Sequence, residues 1–541
     1  MTTVRVPAVT TIPALLDAAA ARDPDRLALV APDASLSYGS LAVEADAAAA
    51  ALQQLGVRPG DRVAASLPNS ASLVVAFHGT MRLGAVWVGV NRTLAAPEKL
   101  ALLRHARPVV FLCEEAVAAE LAQATGGSSP GPAVVPVGGS TQDGTEWQAL
   151  LAASHGSHAR RPAIDPFAPA GIAYTSGTTG SPKGVVHSQH NLVVPGAAIV
   201  ASRRYGRDLR KGDCLSLNIL NLLVLSTLLA TQAGGCSIVS DARSAVELGR
   251  WLRENEVTVW NGVPTMLYDL VHDSRVVPED LASLEEVWTG GARCPEGVRR
   301  DFEEKFGVPL RGTYGLTEAP TIVTIEARDV PHVEGASGVP LPHLEVTVRD
   351  GDDRVLPAGE VGEICVGGRT AGPWAGAYRT MLGYWEQGGG VQGGPADGLL
   401  RTGDLGSLDG AGNLFVRDRK QLLIIRGGAN VYPAEVEQVL ELHPAVAGSA
   451  VVGVPDERLG ERVAAVVELA TGAEADADEL RAWCARHLAR YKVPDWVRVV
   501  ASLPRNAMGK VVRQELPRLL GPLEPPSPAA TGTTARGSGR T

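Results

Sequence analysis

Aromatic side chains are scarce in this sequence: Phe, Tyr and Trp together make up 4% of 541 residues. Filling a core of this size then falls to Ala, Val and Leu, whose short side chains demand close packing. Paired cysteines are lacking too. Cys113, Cys214, Cys236, Cys294, Cys365 and Cys484 stand far apart without any CxxC spacing, which excludes the common zinc and dithiol motifs. We read them as small buried apolar residues in a reducing compartment. Long basic runs are missing and the net charge is −9, so neither a nucleic-acid footprint nor an anionic-membrane patch is present. The longest apolar run, around Ile219 to Ala230, is broken by Asn221, Ser226 and Thr227. It falls short of the about 20 residues that a membrane span needs. The opening segment lacks the charged start and apolar stretch of a secretory leader, so the expected location is the cytoplasm.

The length points to two or more domains, at about 150 residues each. Ile12 to Leu55 reads as helical, Asp61 to Leu67 as a buried strand, Ser70 to Leu83 as a helix and Ala85 to Val90 as a strand. Such alternation implies mostly parallel sheets flanked by helices, an α/β fold, and it recurs from Ala170 to Thr324. Residues 122–165 are rich in Gly, Ser, Pro and Ala and read as surface loops, with His155 and His158 as solvated loop histidines. Short strands with Gly turns from Gly335 to Arg417 suggest a β-rich subdomain. A change of rhythm after Arg419 marks a small α+β unit. Its strands are expected at Leu422–Ile425, Ala447–Val454, Arg462–Leu469 and Trp496–Val500, and its helices at Pro433–Leu442 and Asp478–Leu488. We therefore expect a large N-terminal domain over residues 1–418, a hinge at 419–421, a mobile C-terminal domain over 422–521 and a disordered tail at 522–541.

The most informative segment is Tyr174-Thr-Ser-Gly-Thr-Thr-Gly-Ser-Pro-Lys-Gly184, which follows an apolar strand. Its glycines let the backbone turn tightly, Thr175, Ser176, Thr178 and Thr179 add hydroxyls, and Lys183 adds a mobile cation. Such a loop is a nest for polyphosphate. It is not a Walker A loop, because Pro182 precedes the lysine and Gly184 follows it.

This segment resembles the signature loop of the adenylate-forming superfamily, which comprises acyl-CoA synthetases, peptide-synthetase adenylation domains and luciferases. Further motifs of that family follow in order between residues 11 and 515, closest in pattern to acyl-CoA ligases. The resemblance implies that Thr175, Ser176, Gly177, Thr178, Thr179, Gly180 and Lys183 bind the phosphates of ATP. It implies that Gly290, Gly291 and Ala292 border the adenine. In Thr313-Tyr314-Gly315-Leu316-Thr317-Glu318, Tyr314 would stack on the base, Thr317 would meet the α-phosphate and Glu318 would hold Mg²⁺. Asp404, with Arg419, would bind the ribose. Lys510, in Pro504-Arg-Asn-Ala-Met-Gly-Lys510, would bind the attacking carboxylate and an α-phosphate oxygen. Arg426, Gly427 and Gly428 would face the second half-reaction, in which coenzyme A takes the acyl group.

The chain departs from the family at the hinge, where Gln421 and Leu422 stand, and at Asn221, where many members carry histidine. Asn221, Trp260, Trp288, Gly315 and Thr321 are the expected acid-pocket residues, and large side chains there favour a small, medium or aromatic acid. The implied activity is AMP-forming ligation of that acid to coenzyme A. Alternatives are a carrier-protein thiol as acceptor, an oxyacid such as nitrite activated for transfer to an amine, or an inactive nucleotide-binding homologue.

Overall fold

In the computed structural model, the residues described are 10–125, 131–138, 146–157, 161–175, 183–291, 294–426, 429–456, 458–506 and 509–521. The chain divides into two compact units, residues 1–416 and 417–541. Hinge residues 419–421 fall in the second of these. The 522–541 tail and His158 lie outside the described residues.

The first unit holds two sheets, each built on parallel strands. In one, Pro169–Thr175, Val86–Gly89, Arg62–Ser66, Val110–Cys113 and Ala133–Pro136 run parallel. Its other side is antiparallel, through Lys183–Ser188, Gly383–Trp385 and Val391–Gly393. In the other, Leu27–Val30, Cys236–Val239, Arg210–Asp213, Val259–Gly262, Glu286–Thr289 and Leu310–Leu316 run parallel. Thr321–Ile325 pairs antiparallel with the last of them. Strands such as Val86–Gly89 and Val110–Cys113 are apolar along their length because both faces are covered. Strands Leu344–Arg349, Gly362–Gly368, Leu400–Leu408 and Leu414–Arg419 form the β-rich subdomain.

Scarce aromatics translate into tight helix contacts. Helix Tyr38–Gln54 buries Ala45 and the run Ala47–Ala51. A Cβ on Gly79, in helix Ala71–Arg82, would lie 2.6 Å from the Ala48 Cβ. The missing side chain is therefore what lets the two backbones approach. Most of the few large rings are interior: Trp87, Trp147, Trp260 and Trp288 are among the largest fully buried side chains.

Three expectations need correction. Ile12 to Leu55 is not continuously helical: helix Ile12–Arg22 and helix Tyr38–Gln54 are separated by strands Leu27–Val30 and Ser35–Ser37. Asp23, Pro24 and Asp25 stop the first helix, since proline cannot continue it. Residues 122–165 are not all loop, for they contain strand Ala133–Pro136 and helix Glu146–Ser154. That helix is anchored by the buried Trp147, a burial that a Gly/Ser/Pro-rich composition conceals. His155 bonds the Glu44 carboxylate at 2.9 Å rather than water alone. The six cysteines are unpaired, four of them buried and two half-buried. No helix among the described residues is long and apolar enough to cross a membrane.

Among its described residues the second unit holds one sheet, with helices packed on it that include the short Leu516–Leu520. Strands Ala429–Val431, Ile424–Arg426, Gly460–Leu469 and Val446–Asp456 lie in that order, with Trp496–Val500 parallel to Gly460–Leu469. Helices Pro433–Glu441 and Ala477–His487 bury Val436, Leu440, Leu480 and Cys484 against it.

Two asparagines pin the segment that follows strand Arg210–Asp213. The Asn218 carboxamide donates to Leu67 O at 2.7 Å and accepts from Leu67 N at 3.1 Å. The Asn69 carboxamide accepts from Leu217 N at 2.9 Å and donates to Leu215 O at 3.0 Å. Residues 215–218 are thus tied to the end of strand Arg62–Ser66 in the other sheet. Asn218→Ala strands a buried donor and a buried acceptor, each worth about 1–3 kcal/mol. Urea unfolding of the first unit is expected to show a loss of about 2 kcal/mol or more, and an unchanged midpoint would contradict the pinning role.

His78, His187 and His343 are fully buried in the first unit. Burial holds their imidazoles neutral, down to about 3, about 4 and about 3 respectively. Unfolded histidine takes up a proton near about pH 6.5. Below that pH the unfolded state binds protons that the native state refuses, so stability falls as pH drops from 6.5 toward 4. The urea midpoint is expected to be lower at pH 5 than at pH 7, by up to about 1.4 kcal/mol per pH unit for each histidine.

Candidate active site

Strands Pro169–Thr175 and Lys183–Ser188 form an antiparallel pair with Thr175 opposite Lys183. The loop they flank is therefore a hairpin connection. The segment between them opens directly onto strand Lys183–Ser188. Ser176, Gly177, Thr178, Thr179 and Gly180 lie outside the described residues, as do Ala292, Gly427 and Gly428.

Around these stems the structure gathers residues far apart in sequence. The Lys183 ammonium lies 5.6 Å from the centre of the Tyr384 ring, close enough for a cation–π contact. The Tyr384 hydroxyl donates to Glu318 Oε1 at 3.5 Å, a long bond. Burial, then the Glu318 charge, raise the Tyr384 phenol above its ordinary range and keep it a donor. The Thr317 carbonyl accepts from His187 Nε2 at 2.7 Å, fixing the backbone just before Glu318. Neutral His187 can make that bond with the proton on Nε2.

A second cluster holds the nucleoside motifs. The Tyr314 hydroxyl donates to Asp404 Oδ2 at 2.7 Å, buried, across 90 positions of sequence. Asp404 is set by its own turn: its amide donates to Thr402 Oγ1 at 3.1 Å, and the Thr402 hydroxyl donates to Ile364 O at 2.7 Å. The Gly403 amide donates to Glu363 Oε1 at 3.0 Å, with the Gly403 backbone at φ +72°. Beside Tyr314, the Thr313 hydroxyl donates to Thr289 O at 3.0 Å. A Cβ on Gly290 would sit 2.2 Å from Thr313 Oγ1. Gly290 therefore lets the loop after strand Glu286–Thr289 come down onto strand Leu310–Leu316. Gly291 adds a left-handed turn at φ +79°.

The expected acid-pocket residues separate into kinds. Gly315 is exposed, and a Cβ there would strike Thr321 O at 2.0 Å. Thr321 is buried with φ +82°, a strained conformation for a β-branched residue. Its hydroxyl accepts from Ile322 N. Asn221 is half-buried with its Oδ1 buried and unbonded, at the start of a helical stretch that passes through a π-turn at Val224–Leu228. Trp260 is core: its ring lies over Gly262 and its indole N–H donates to Cys214 Sγ at 3.4 Å. Trp288 lies on the opposite face of its sheet, stacked against Tyr205.

Sequence reading passed over the charged pair beneath this region. Lys211 and Asp213 are fully buried and 2.9 Å apart, and Asp213 Oδ1 accepts from Asn261 Nδ2 at 2.8 Å. Burial pulls the lysine down and pushes the aspartate up, while each charge counters the shift of the other. Tyr384 was also missed. Its signal was an aromatic pair, Tyr384-Trp385, in a chain with few aromatics.

In the second unit, the Arg426 guanidinium donates to Tyr491 O at 2.8 Å, Val493 O at 3.1 Å and Asp495 Oδ1 at 2.7 Å. It thus braces that unit's own loop. Arg419 is exposed beside Asp418. Lys510 is exposed at the end of a tight turn: its amide donates to Asn506 Oδ1 at 3.0 Å and its carbonyl accepts from Asn506 N at 2.8 Å.

Comparison with known proteins gives two profile matches: "AMP-binding enzyme" over residues 16–385 and "AMP-binding enzyme C-terminal domain" over residues 435–510. An indoleacetate–CoA ligase of Aromatoleum aromaticum is 33% identical over 93% of this chain and 97% of that protein. A fatty acid–[acyl-carrier-protein] ligase, ScoC, of Streptomyces coeruleorubidus is 32% identical over 92% of this chain and 94% of that protein. Among solved structures, the o-succinylbenzoate coenzyme A synthetase of Bacillus subtilis in complex with ATP and magnesium is similar at TM-score 0.77 and 29% identity. The match covers 93% of this chain and 99% of that one.

The Tyr314–Asp404 bond gives a direct test of the nucleoside cluster. Tyr314→Phe keeps the ring and removes the hydroxyl that orients the carboxylate. A hydrogen bond to a charged group is worth about 1.5–3 kcal/mol. The Kd for ATP, measured by calorimetry, is therefore expected to rise about tenfold or more, and an unchanged Kd would remove the pair from the nucleoside site.

Proposed function

The chain belongs to the AMP-binding enzyme family, and from that membership we propose that it joins a small, medium or aromatic carboxylic acid to coenzyme A through an acyl-adenylate. The observation that carries this reading is the Tyr314–Asp404 contact at 2.7 Å, which brings the base-stacking and ribose motifs into one buried place. The residues fit ATP and a magnesium ion. Gly290 lets the loop that would border the adenine pack onto Thr313 beside Tyr314, and Glu318 offers a hard oxygen ligand of the type magnesium prefers. When bound, magnesium neutralises phosphate charge.

The chain's own groups then divide the work. Lys183 and the hydroxyls of its loop hold the β- and γ-phosphates. Tyr314 and Asp404, with Arg419, hold the nucleoside. An oxygen of the acid attacks the α-phosphorus, and the bond to pyrophosphate breaks. Lys510 holds the attacking carboxylate and an α-phosphate oxygen, offsetting the charge that builds at phosphorus. Rotation of the second unit at residues 419–421 then withdraws Lys510 and presents the face of Arg426, Gly427 and Gly428. The thiolate attacks the acyl carbon and AMP leaves. Asn221 replaces a titratable ring with an amide, so the acid pocket has no proton to exchange at that position near neutrality.

A carrier-protein thiol is the second reading of the acceptor, favoured by the likeness to the ScoC ligase. Nitrite activated for transfer to an amine, and an inactive nucleotide binder, are separated by the same assay. Pyrophosphate release is measured with indoleacetate, ferulate, octanoate, sulfoacetate and nitrite, with and without coenzyme A. Acid-dependent release that requires coenzyme A for turnover supports the first reading. CoA-independent turnover with nitrite and an amine overturns it, and so does the lack of exchange with any acid.

The role of Lys510 has its own measurement. Lys510→Ala is expected to lower ATP–pyrophosphate exchange by about a hundredfold or more, while thioester formation from supplied acyl-adenylate and coenzyme A stays within about twofold. Equal losses in both halves contradict the assignment.

A further inference from the structure

The turn that carries Lys510 is exposed at Arg505, Asn506 and Lys510, and the flanking Leu503 and Val511 pack into the unit's apolar core. Asn506 closes it, through its amide to Lys510 O at 2.8 Å and its side-chain oxygen from Lys510 N at 3.0 Å. Gly509 holds the left-handed position at φ +75°. An antiparallel bridge between Arg505 and Val511 closes the base of the turn, and Arg505 pairs with Glu468 of the sheet. Just beyond it, the Arg513 guanidinium forms a fork with the Glu437 carboxylate, Nη1 to Oε1 at 2.7 Å and Nη2 to Oε2 at 3.0 Å. Both partners also grip the same residue of the sheet. Arg513 Nη1 donates to Val451 O at 2.6 Å, and Glu437 Oε1 accepts from Val451 N at 2.7 Å.

Glu437 lies on helix Pro433–Glu441, and the N-terminus of that helix is tied to the chain entering the unit. Asp418 Oδ2 accepts from Ala434 N at 2.9 Å, and Asp418 Oδ1 accepts from Arg419 N at 2.7 Å. Asp418 is buried, and burial raises its carboxyl above the usual range while the two amides and Arg513 oppose the rise. A continuous set of charge-assisted bonds thus runs from Asp418, through helix Pro433–Glu441, to Arg513. Arginine suits the last link because its planar fork fixes orientation, whereas a lysine would supply only a point charge.

We propose that Glu437 and Arg513 are positioning residues for adenylation: their fork sets the Lys510 turn in register with helix Pro433–Glu441 and, through Asp418, with the hinge. The inference rests on the role given to Lys510 above. It explains how an exposed lysine on a surface turn is carried as part of a rigid body when the unit rotates. A loosely held lysine would have to be ordered afresh at every turnover.

The test uses the full chain and the acid that gives the fastest exchange in the panel above. Arg513→Met is expected to lower kcat of ATP–pyrophosphate exchange by about tenfold or more, because small misplacements of a catalytic group cost this much. KM for ATP, and thioester formation from supplied acyl-adenylate, should stay within about twofold. Glu437→Gln, which keeps the shape and an oxygen for Val451 N, should show the same selective loss without a matching fall in Tm. In the Lys510→Ala background, Arg513→Met should lower the residual exchange no further, since the lysine it positions is gone. Parallel losses in both half-reactions, an unchanged exchange rate, or a full additional loss in that background would overturn the proposal. If Lys510→Ala alone leaves exchange intact, the reading of Lys510 fails first and this inference falls with it. If Lys510→Ala abolishes exchange and Arg513→Met does not alter it, only the positioning role fails.

Discussion

The hydrogen bond from Tyr314 to Asp404 constrains more of the first unit than its 2.7 Å length suggests. Tyr314 lies on strand Leu310–Leu316 of a parallel sheet, and Asp404 on strand Leu400–Leu408 of the antiparallel subdomain. For a buried phenol and a buried carboxylate to meet, these two sheets must be placed together to within a few tenths of an ångström. The Gly290 loop and the Thr402 hydroxyl each fix one side of that meeting. Leaving either group unpaired in the interior would cost about 1–3 kcal/mol, more for the charge. The Tyr314–Asp404 contact is thus a joint between layers.

Much of this was legible in the sequence where chemistry and backbone geometry coincide in a short stretch. The glycine–threonine run before Lys183 reads in the sequence as a phosphate nest, and residues 176–182 of it lie outside the described residues. Strand–helix alternation announces parallel sheets because helical crossovers are the ordinary way to connect parallel strands. Tyr314 and Asp404 were found through motifs, each readable without the other. What joins them was not readable, because the contact spans 90 positions.

The same limit explains what was missed. Asn69 and Asn218 carry no local signature, since an asparagine in a turn is ordinary. Their work appears only when Leu67 and Asn218, 151 positions apart, are brought together. Tyr384 reaches Glu318 across 66 positions. Trp260 shows the opposite error. A large ring near an expected pocket suggests a pocket wall, yet the alternation of strand Val259–Gly262 turns it to the far face, over Gly262, within a cluster that includes Leu267, Phe302 and Leu310. In a chain with few aromatics, a tryptophan is worth more to the core than to a site, because no other residue fills as much volume.

The second unit inverts this division of labour. Its core is small and made mostly of valine, leucine and alanine, and Leu503 and Val511 of that core hold the base of the Lys510 turn. Directional bonds add to this packing. Arg426 braces the loop at residues 491–495 with three acceptors, and Arg513 braces the segment after Lys510 with a fork and a carbonyl. Both are arginines, and both bind backbone as well as carboxylate. A planar group with five donors can hold two strands of chain at once without filling a cavity. Such bonds resist shear along the surface as well as separation.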